Sequence, residues 1–322
     1  MSAIAEPLLP VMGEYHCSNH LIGDHDALRA AWARDGYWFF RDVLDRHAIA
    51  DVRQVYMDFL GEAGVADPAD PEGRYNGADV EGRAIHHLET PLSERRIDRM
   101  IHDHPRINAF FDTLFGCAPC WIPFTSHRHV APEPDRTKRR LEFIHQDATY
   151  NDGLDFMVCW IPLAEIDEDI GGLALIEGVH CNGDLHRHEG MKILPIPEAE
   201  VAMASWKRTH YRPGDVLLMD PGTPHSGVRN HSDRFRLSMD TRVIPSNGNI
   251  PVMGTVEAAD VDGILLNIGA EQRRFRFDDR SFVRGQKGDQ MPLSDVPARY
   301  GRGIEVIATT DGDTIRNLRP LR

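Results

Sequence analysis

From Trp121 to Val243 the chain runs in short β-rich stretches cut by glycine and proline, the texture that an antiparallel barrel or jelly roll requires. The fold this predicts is mainly β with flanking helices. Asp24 is placed to cap a helix over 27–34, and Asp45 precedes an amphipathic stretch through Val52, Val55, Tyr56 and Leu60. Between them Tyr37-Trp38-Phe39-Phe40 reads as a buried strand. Residues 66–90, rich in Asp, Gly and Pro, read as a loop, and Ser93 and Glu94 introduce one long helical pattern ending near Gly116. A single domain over 1–322 is expected, with a helical part (20–118), a jelly-roll core (119–245) and a C-terminal extension (246–322). The plainest role of the extension is packing against the barrel or a second subunit.

Within the β-rich stretch, His145 and Asp147 sit two apart in Phe143-Ile144-His145-Gln146-Asp147, and His225 follows in Pro221-Gly222-Thr223-Pro224-His225. On a strand, residues i and i+2 point to one face, so an imidazole and a carboxylate can grip one metal ion while Gln146 points away. Two histidines and one carboxylate on one face of a metal, with other positions open, form the ligand set of non-haem Fe(II) oxygenases. With 17 histidines in 322 residues a His-x-Asp pair arises cheaply, so the surroundings carry the reading. The polar break Asn230-His231-Ser232-Asp233 reads as a tight hairpin, and centring it on Asn230 and His231 sets 225 opposite 236. Arg236 then lies one strand from the metal. A 2-oxoglutarate molecule needs that combination, because its keto acid end chelates iron and its distal carboxylate suits a planar, permanently charged fork. Arg234 shares the parity and is the local rival, while Phe235, Leu237 and Met239 alternate onto the other face as packing.

Ser226, beside His225, is placed either to orient a bound carboxylate or to bond the backbone. Tyr150, Asn151 and Trp160 follow the metal motif and are candidates for substrate lining, with core packing as the alternative. In His127-Arg128-His129 neighbouring side chains face opposite sides, so either Arg128 or the two histidines face the pocket. If the histidines do, His127, His129, Glu133 and His225 approximate the spacing of a cupin-type metal enzyme that needs no 2-oxoglutarate. That arrangement leaves Asp147 and Arg236 without a task. A barrel that binds a small ligand without turnover is a third reading, since fold alone does not establish catalysis.

In order along the chain, His145-Gln146-Asp147, Gly171-Gly172-Leu173-Ala174-Leu175-Ile176, Gly214-Asp215-Val216-Leu217-Leu218-Met219-Asp220, His225 and Asn230-His231-Ser232-Asp233-Arg234-Phe235-Arg236 form a series. It resembles the phytanoyl-CoA dioxygenase (PhyH-like) family of Fe(II)/2-oxoglutarate-dependent oxygenases. The likeness extends upstream to Asp35-Gly36-Tyr37-Trp38-Phe39-Phe40 and Val43-Leu44-Asp45, and covers roughly residues 20–245. The resemblance implies a double-stranded β-helix (a cupin-like jelly roll), Fe(II) held by His145, Asp147 and His225, and O2 and 2-oxoglutarate as cosubstrates. It also implies that Arg236 binds the distal carboxylate of 2-oxoglutarate. The implied activity is oxidation, foremost hydroxylation, of an unactivated C–H in a natural-product or lipid-like small molecule, with release of succinate and CO2. One departure is Glu177-Gly178-Val179-His180, where the family usually reads Pro-Gly-Ser-His; it touches a turn. Retention of Asp147 implies oxygenation or desaturation rather than halogenation.

Fifty acidic against 36 basic residues give a formal charge of −14, which disfavours nucleic acid and anionic membranes as partners. The basic run Arg136-Thr137-Lys138-Arg139-Arg140 is either a solvated loop or a lure for an anionic substrate. No apolar run approaches the length of a bilayer span, and the first residues lack an export pattern, so a cytoplasmic setting is expected by default. Five cysteines are too few and odd in number for a disulfide framework. Cys117-Ala118-Pro119-Cys120, where a helix gives way to a strand, has no second pair to complete a zinc site. A homo-oligomer is compatible with all of this.

Overall fold

Asp24 accepts a hydrogen bond from Ala27 N and opens α1 (His25–Asp35), which Gly36 ends in the left-handed conformation at φ 78°. Asp45 does the same for α2 (Arg46–Glu62), accepting from His47 N and Ala48 N. These features come from a computed structural model that describes residues 11–78, 91–151, 153–189, 192–201, 203–285 and 289–321. Between the two helices lies β1 (Tyr37–Phe40), buried along its whole length. The single long helix expected before Gly116 is instead three pieces: α3 (Pro91–Glu94), α4 (Arg99–His102) and α5 (Pro105–Phe115). Arg96 takes a positive φ of 55°. Pro105 has no N–H to bond backwards and holds His104 in extended backbone, so a continuous helix is excluded. Residues 66–78 form turns, as the loop reading expected, and 79–90 lie outside the described residues.

The chain divides into two compact units, the first comprising Met1–Asp147, Phe156–Glu189 and Ile193–Ser246, and the second Ala148–Asp155, Gly190–Lys192 and Asn247–Arg322. Strands β2 (Pro119–Val130), β3 (Met157–Pro162), β4 (Gly172–Ile176), β5 (Arg187–Glu189) and β6 (Lys192–Leu194) come next in order. The short α6 (Glu198–Val201) precedes β7 (Trp206–Lys207), β8 (Val216–Met219), β9 (His225–Val228) and β10 (Arg236–Pro245). A five-stranded antiparallel sheet, β1-β8-β3-β10-β2, is joined by a three-stranded one, β7-β4-β9. The architecture is a double-stranded β-helix flanked by helices. Its first strand is residues 37–40, so the barrel begins well before residue 119.

The period of two sorts each strand. On the five-stranded sheet Trp38, Phe40, Cys159, Ile161, Val216, Leu218, Leu237 and Met239 share one core with Ile49, Val52, Tyr56 and Leu60 of α2. Each such aliphatic or aromatic side chain taken fully from water stabilises by about 1.5–3 kcal/mol. Ala174, Ile176, Trp206 and Val228 of the smaller sheet pack instead with Leu141, Ile144 and Ile196. The alternate residues of both sheets are left to line the interior. Deep in the unit, Tyr15, Tyr37, Phe39, Trp160 and Tyr211 stack at centroid distances of 4.6–6.1 Å.

The expected hairpin between His225 and Arg236 does not form: β9 pairs with β4, and β10 pairs with β2 and β3. Asn230 decides this, because its Nδ2 donates to Val130 O and Arg234 O and so turns the chain from one sheet to the other. The second unit carries β11 (Val252–Ala259), β12 (Gly263–Ile268), β13 (Glu271–Arg276), β14 (Phe282–Val283), α7 (Val296–Arg299), β15 (Glu305–Asp311) and β16 (Thr314–Pro320). These strands form a six-stranded sheet over a core of Val256, Ile264, Leu266, Phe275, Tyr300, Val306 and Leu318. Residues after 246 therefore make a sheet and a core of their own. Among the described residues no helix is long and apolar enough to cross a membrane.

Candidate active site

His145 and His225 are directly opposed: the N–H of each donates to the carbonyl of the other, at 3.0 and 2.9 Å. This is an isolated bridge rather than a regular strand, and Asp147 opens a 3-10 turn. The same-face outcome nevertheless holds, with His145 Nε2 3.5 Å and His225 Nε2 3.9 Å from Asp147 Oδ1. Gln146 points away, its Nε2 donating to Gly183 O and Gly222 O while its Oε1 accepts from Leu185 N. That clasp fixes the loop from which both flanking ligands project.

The tautomers follow from the partners. His145 Nδ1 lies 2.9 Å from Phe143 O and His225 Nδ1 lies 3.0 Å from Thr223 O, and a carbonyl can only accept. Both Nδ1 atoms therefore carry the proton, which turns the two Nε2 lone pairs toward Asp147. Burial, with His145 nearby, lowers the pKa of His225 to about 3, so its imidazole stays neutral at working pH. Burial works against the charge on Asp147, but the Arg242 guanidinium and the neighbouring imidazoles outweigh it and hold the carboxyl well below its usual range. Two neutral nitrogens and one ionised oxygen, all within 4.8 Å of one another, fit a ferrous ion.

The two histidines border a cavity of about 520 Å3 lined from both sheets, with Arg128, Trp160, Met219, Arg236, Ser238 and Asp240 on one side and Leu173, His225 and Gly227 on the other. Glu142 and Phe143 lie at its edge in sequence with the metal motif. Arg236 is buried, and its Nη1 donates to Val228 O at 2.5 Å and Gly172 O at 3.2 Å. Burial lowers its pKa and Glu142 opposes the shift, with Glu142 Oε2 3.7 Å from Nη2. An arginine keeps its charge in such a place, so the second edge of the fork is a cation whose carboxylate partner is the partly exposed Glu142. The Ser238 hydroxyl on the same strand face is buried without a hydrogen-bond partner among the described residues. Arg234, the rival, pairs with Asp167 at 2.6 Å and Glu72 at 3.3 Å and is not a lining residue.

Other expectations divide. Arg128 and His129 both line the cavity, the His129 ring also packing edge-on to Phe59 of α2, whereas His127 bonds Tyr56. The cupin-type ligand set does not assemble among the described residues: His127 is bonded to Tyr56, and His225 gathers with His145 and Asp147 instead. Ser226 also points away: it sits on the alternate face of β9, and its hydroxyl donates to Gly227 O at 2.9 Å. Tyr150 and Asn151 belong to the second unit, where Tyr150 O accepts from Arg284 and Arg319. The basic run is engaged, with Lys138 on Glu133, Arg139 on Glu198 and Arg140 on Glu168 O. A second trio, His16, Asp35 and Glu177, offers ligand atoms too, but Arg34 holds Asp35 at 2.6 Å and Lys207 holds Glu177 at 3.2 Å.

Sequence reasoning missed Asp240 and Arg242. Arg242 Nη1 donates to Asp240 Oδ1 at 2.9 Å, its Nη2 donates to Asp147 Oδ2 at 3.2 Å, and Arg128 Nη2 lies 3.7 Å from Asp240 Oδ2. The signal was available, since residues 236, 238, 240 and 242 share one face of a strand whose other face is apolar except for Thr241.

The profile described as phytanoyl-CoA dioxygenase (PhyH) matches residues 32–238. The chain belongs to the phytanoyl-CoA dioxygenase family. It is similar to the 1-deoxypentalenic acid 11-beta-hydroxylase of Streptomyces arenae, 27% identical over 253 residues that span 73% of this chain and 87% of the relative. The protein of the same name from Streptomyces exfoliatus is 25% identical over 255 residues, spanning 74% and 87%. Among solved structures it resembles the epimerase SnoN in complex with Fe3+, alpha ketoglutarate and nogalamycin RO, at 19% identity and a TM-score of 0.48 over 69% of this chain and 84% of that one. This phytanoyl-CoA dioxygenase family member is an oxidoreductase that uses Fe(II) and 2-oxoglutarate.

Proposed function

We propose that the enzyme hydroxylates an unactivated C–H bond of a small acidic metabolite with an apolar skeleton. The reading is carried by one observation: both histidines of a two-histidine, one-carboxylate set border the same cavity as a buried, permanently charged arginine. Bound Fe(II) supplies coupled oxidation, in which 2-oxoglutarate and O2 yield succinate and CO2 and one oxygen atom passes to the substrate carbon. The protein supplies placement. Arg236 takes the distal carboxylate of 2-oxoglutarate, with the Ser238 hydroxyl as a second donor. Phe143, Trp160, Leu173 and Met219 exclude water and receive the apolar part of the substrate. Arg128 meets its acidic group. Both similar hydroxylases are named for an acid, 1-deoxypentalenic acid, which supports the last two assignments. All five cysteines are free, which suits a cytoplasmic setting.

Space for the cosubstrate comes from Gly227. A Cβ there would displace the flexible Glu142 carboxylate and stand 3.3 Å from Arg236 Nη2, filling the region in front of the guanidinium. For a carboxylate that must occupy this space, overpacking by one methyl costs about 1–3 kcal/mol. Gly227→Ala is therefore expected to weaken 2-oxoglutarate binding by roughly ten- to a hundredfold while leaving metal affinity unchanged. Calorimetric titration of both ligands checks this.

The activity itself is tested by supplying purified protein with Fe(II), ascorbate, O2, 2-oxoglutarate and a panel of small carboxylic acids with apolar skeletons, 1-deoxypentalenic acid among them, measuring succinate and product mass. Substrate-dependent succinate with one added oxygen atom is the expected outcome. If 2-oxoglutarate is never consumed beyond the no-substrate level, the hydroxylase reading yields to a barrel that binds without turnover.

A further inference from the structure

We infer that Arg242 is a positioning residue for the metal-binding carboxylate: it engages Asp147 Oδ2, so that Oδ1 alone is presented to the two histidines. The inference rests on the reading of His145, Asp147 and His225 as the metal site. Two oxygens of one carboxylate face different partners here. Oδ1 lies 3.5 and 3.9 Å from the two Nε2 atoms, while Oδ2 lies 3.2 Å from Arg242 Nη2.

Arg242 is itself held from several sides. Its Nη1 donates to the Asp240 carboxylate at 2.9 Å and to the Asp240 carbonyl at 3.0 Å, with Phe124 O at 3.5 Å. The guanidinium also lies 5.7 Å from the centroid of the Phe156 ring. The local backbone makes this possible. Between Asp240 and Arg242 the pairing of β10 with β2 shifts register, from Asp240 opposite Ser126 to Arg242 opposite Ile122. Pro123, which cannot donate to a ladder, falls inside that irregularity. Within that irregularity the Phe124 carbonyl lies 3.5 Å from Arg242 Nη1.

The consequence is chemical. A carboxylate that swung to offer both oxygens would occupy a position that the keto acid or dioxygen needs. With Oδ2 bonded to a fixed guanidinium, that swing breaks a buried, charge-assisted hydrogen bond. Arg242 thus keeps the carboxylate a single-oxygen ligand, and Asp240 keeps Arg242 in place. Lysine carries the charge but not the planar fork that reaches two carboxylates at once.

The test uses the full-length apoprotein titrated with Co(II) alone, reading affinity and the visible d–d spectrum, with melting curves of the metal-free proteins alongside. Arg242→Met is expected to weaken Co(II) binding by roughly 10- to 100-fold and to alter the spectrum, as loss of a group orienting a ligand does. Arg242→Lys is expected to recover part of the affinity but not the parent spectrum. A folded Arg242→Met with the parent's affinity and spectrum overturns the inference. If Arg242→Met does not fold, Arg242→Lys decides: a spectrum and affinity identical to the parent overturn it equally. Asp147→Ala separates the two levels, because undiminished Co(II) binding there removes the metal site itself and not merely the role of Arg242.

Discussion

Asp147→Ala and His225→Ala are each expected to release the metal at protein concentrations where the parent is saturated. For structural zinc sites a binding free energy of about 10–16 kcal/mol is shared among four ligands, roughly 3 kcal/mol apiece, so losing one of three costs at least about two decades of affinity. Asp147 should show the larger effect because it brings the only negative charge in the trio. Its loss also leaves Arg242 with Asp240 as its sole carboxylate partner among the described residues, so a lower melting temperature is expected for Asp147→Ala. His225→Ala removes a neutral side chain and should melt closer to the parent. Metal titration with Fe(II) under argon, read beside circular dichroism, checks both. Parent-like affinity in either folded variant would refute the assignment of that ligand.

Arg236→Ala is expected to keep the metal and raise the 2-oxoglutarate requirement by roughly two to three decades, as truncating one partner of a desolvated ionic pair does. Metal binding survives because Arg236 is bonded to Val228 O and Gly172 O and not to any of the three ligands. Glu142, its present carboxylate partner, is partly exposed and can turn to solvent, so the variant should fold. Arg234→Ala serves as the control. That residue is tied to Asp167 and Glu72 outside the cavity lining, and its loss should leave the cosubstrate requirement unaltered. An unchanged requirement in Arg236→Ala would move the anion role to another cation, Arg128 first.

Much of the site could be read from residue order, and the failures have identifiable causes. Periodicity assigned Arg236 to one face and Phe235, Leu237 and Met239 to the other, and the structure agrees. Period two fixes the face of a strand but not its partner. That is why the hairpin expectation selected a cavity-lining arginine through a pairing that does not exist: Arg236 faces the cavity from one sheet and His225 from the other. The i, i+2 rule likewise succeeded on a segment that is a single bridge followed by a turn, because only the local backbone of His145 to Asp147 had to be extended. The broken helix before Gly116 was signalled by Pro105 and overlooked in favour of apolar spacing. The separate sheet after residue 246 was hidden because its strands carry charged outer faces, such as Arg273, Arg274 and Arg276, that look like a solvated tail. Asp240 and Arg242 escaped because charge alternation inside a barrel strand reads like surface alternation until the cavity is known.

The most direct measurement is an anaerobic titration of the Fe(II)-loaded protein with 2-oxoglutarate, followed by the visible charge-transfer absorption of a chelated keto acid. The account predicts a saturable band in the parent, its absence in Asp147→Ala, and its appearance in Arg236→Ala only at far higher 2-oxoglutarate. No band in the parent, or an undiminished band in Asp147→Ala, would contradict it.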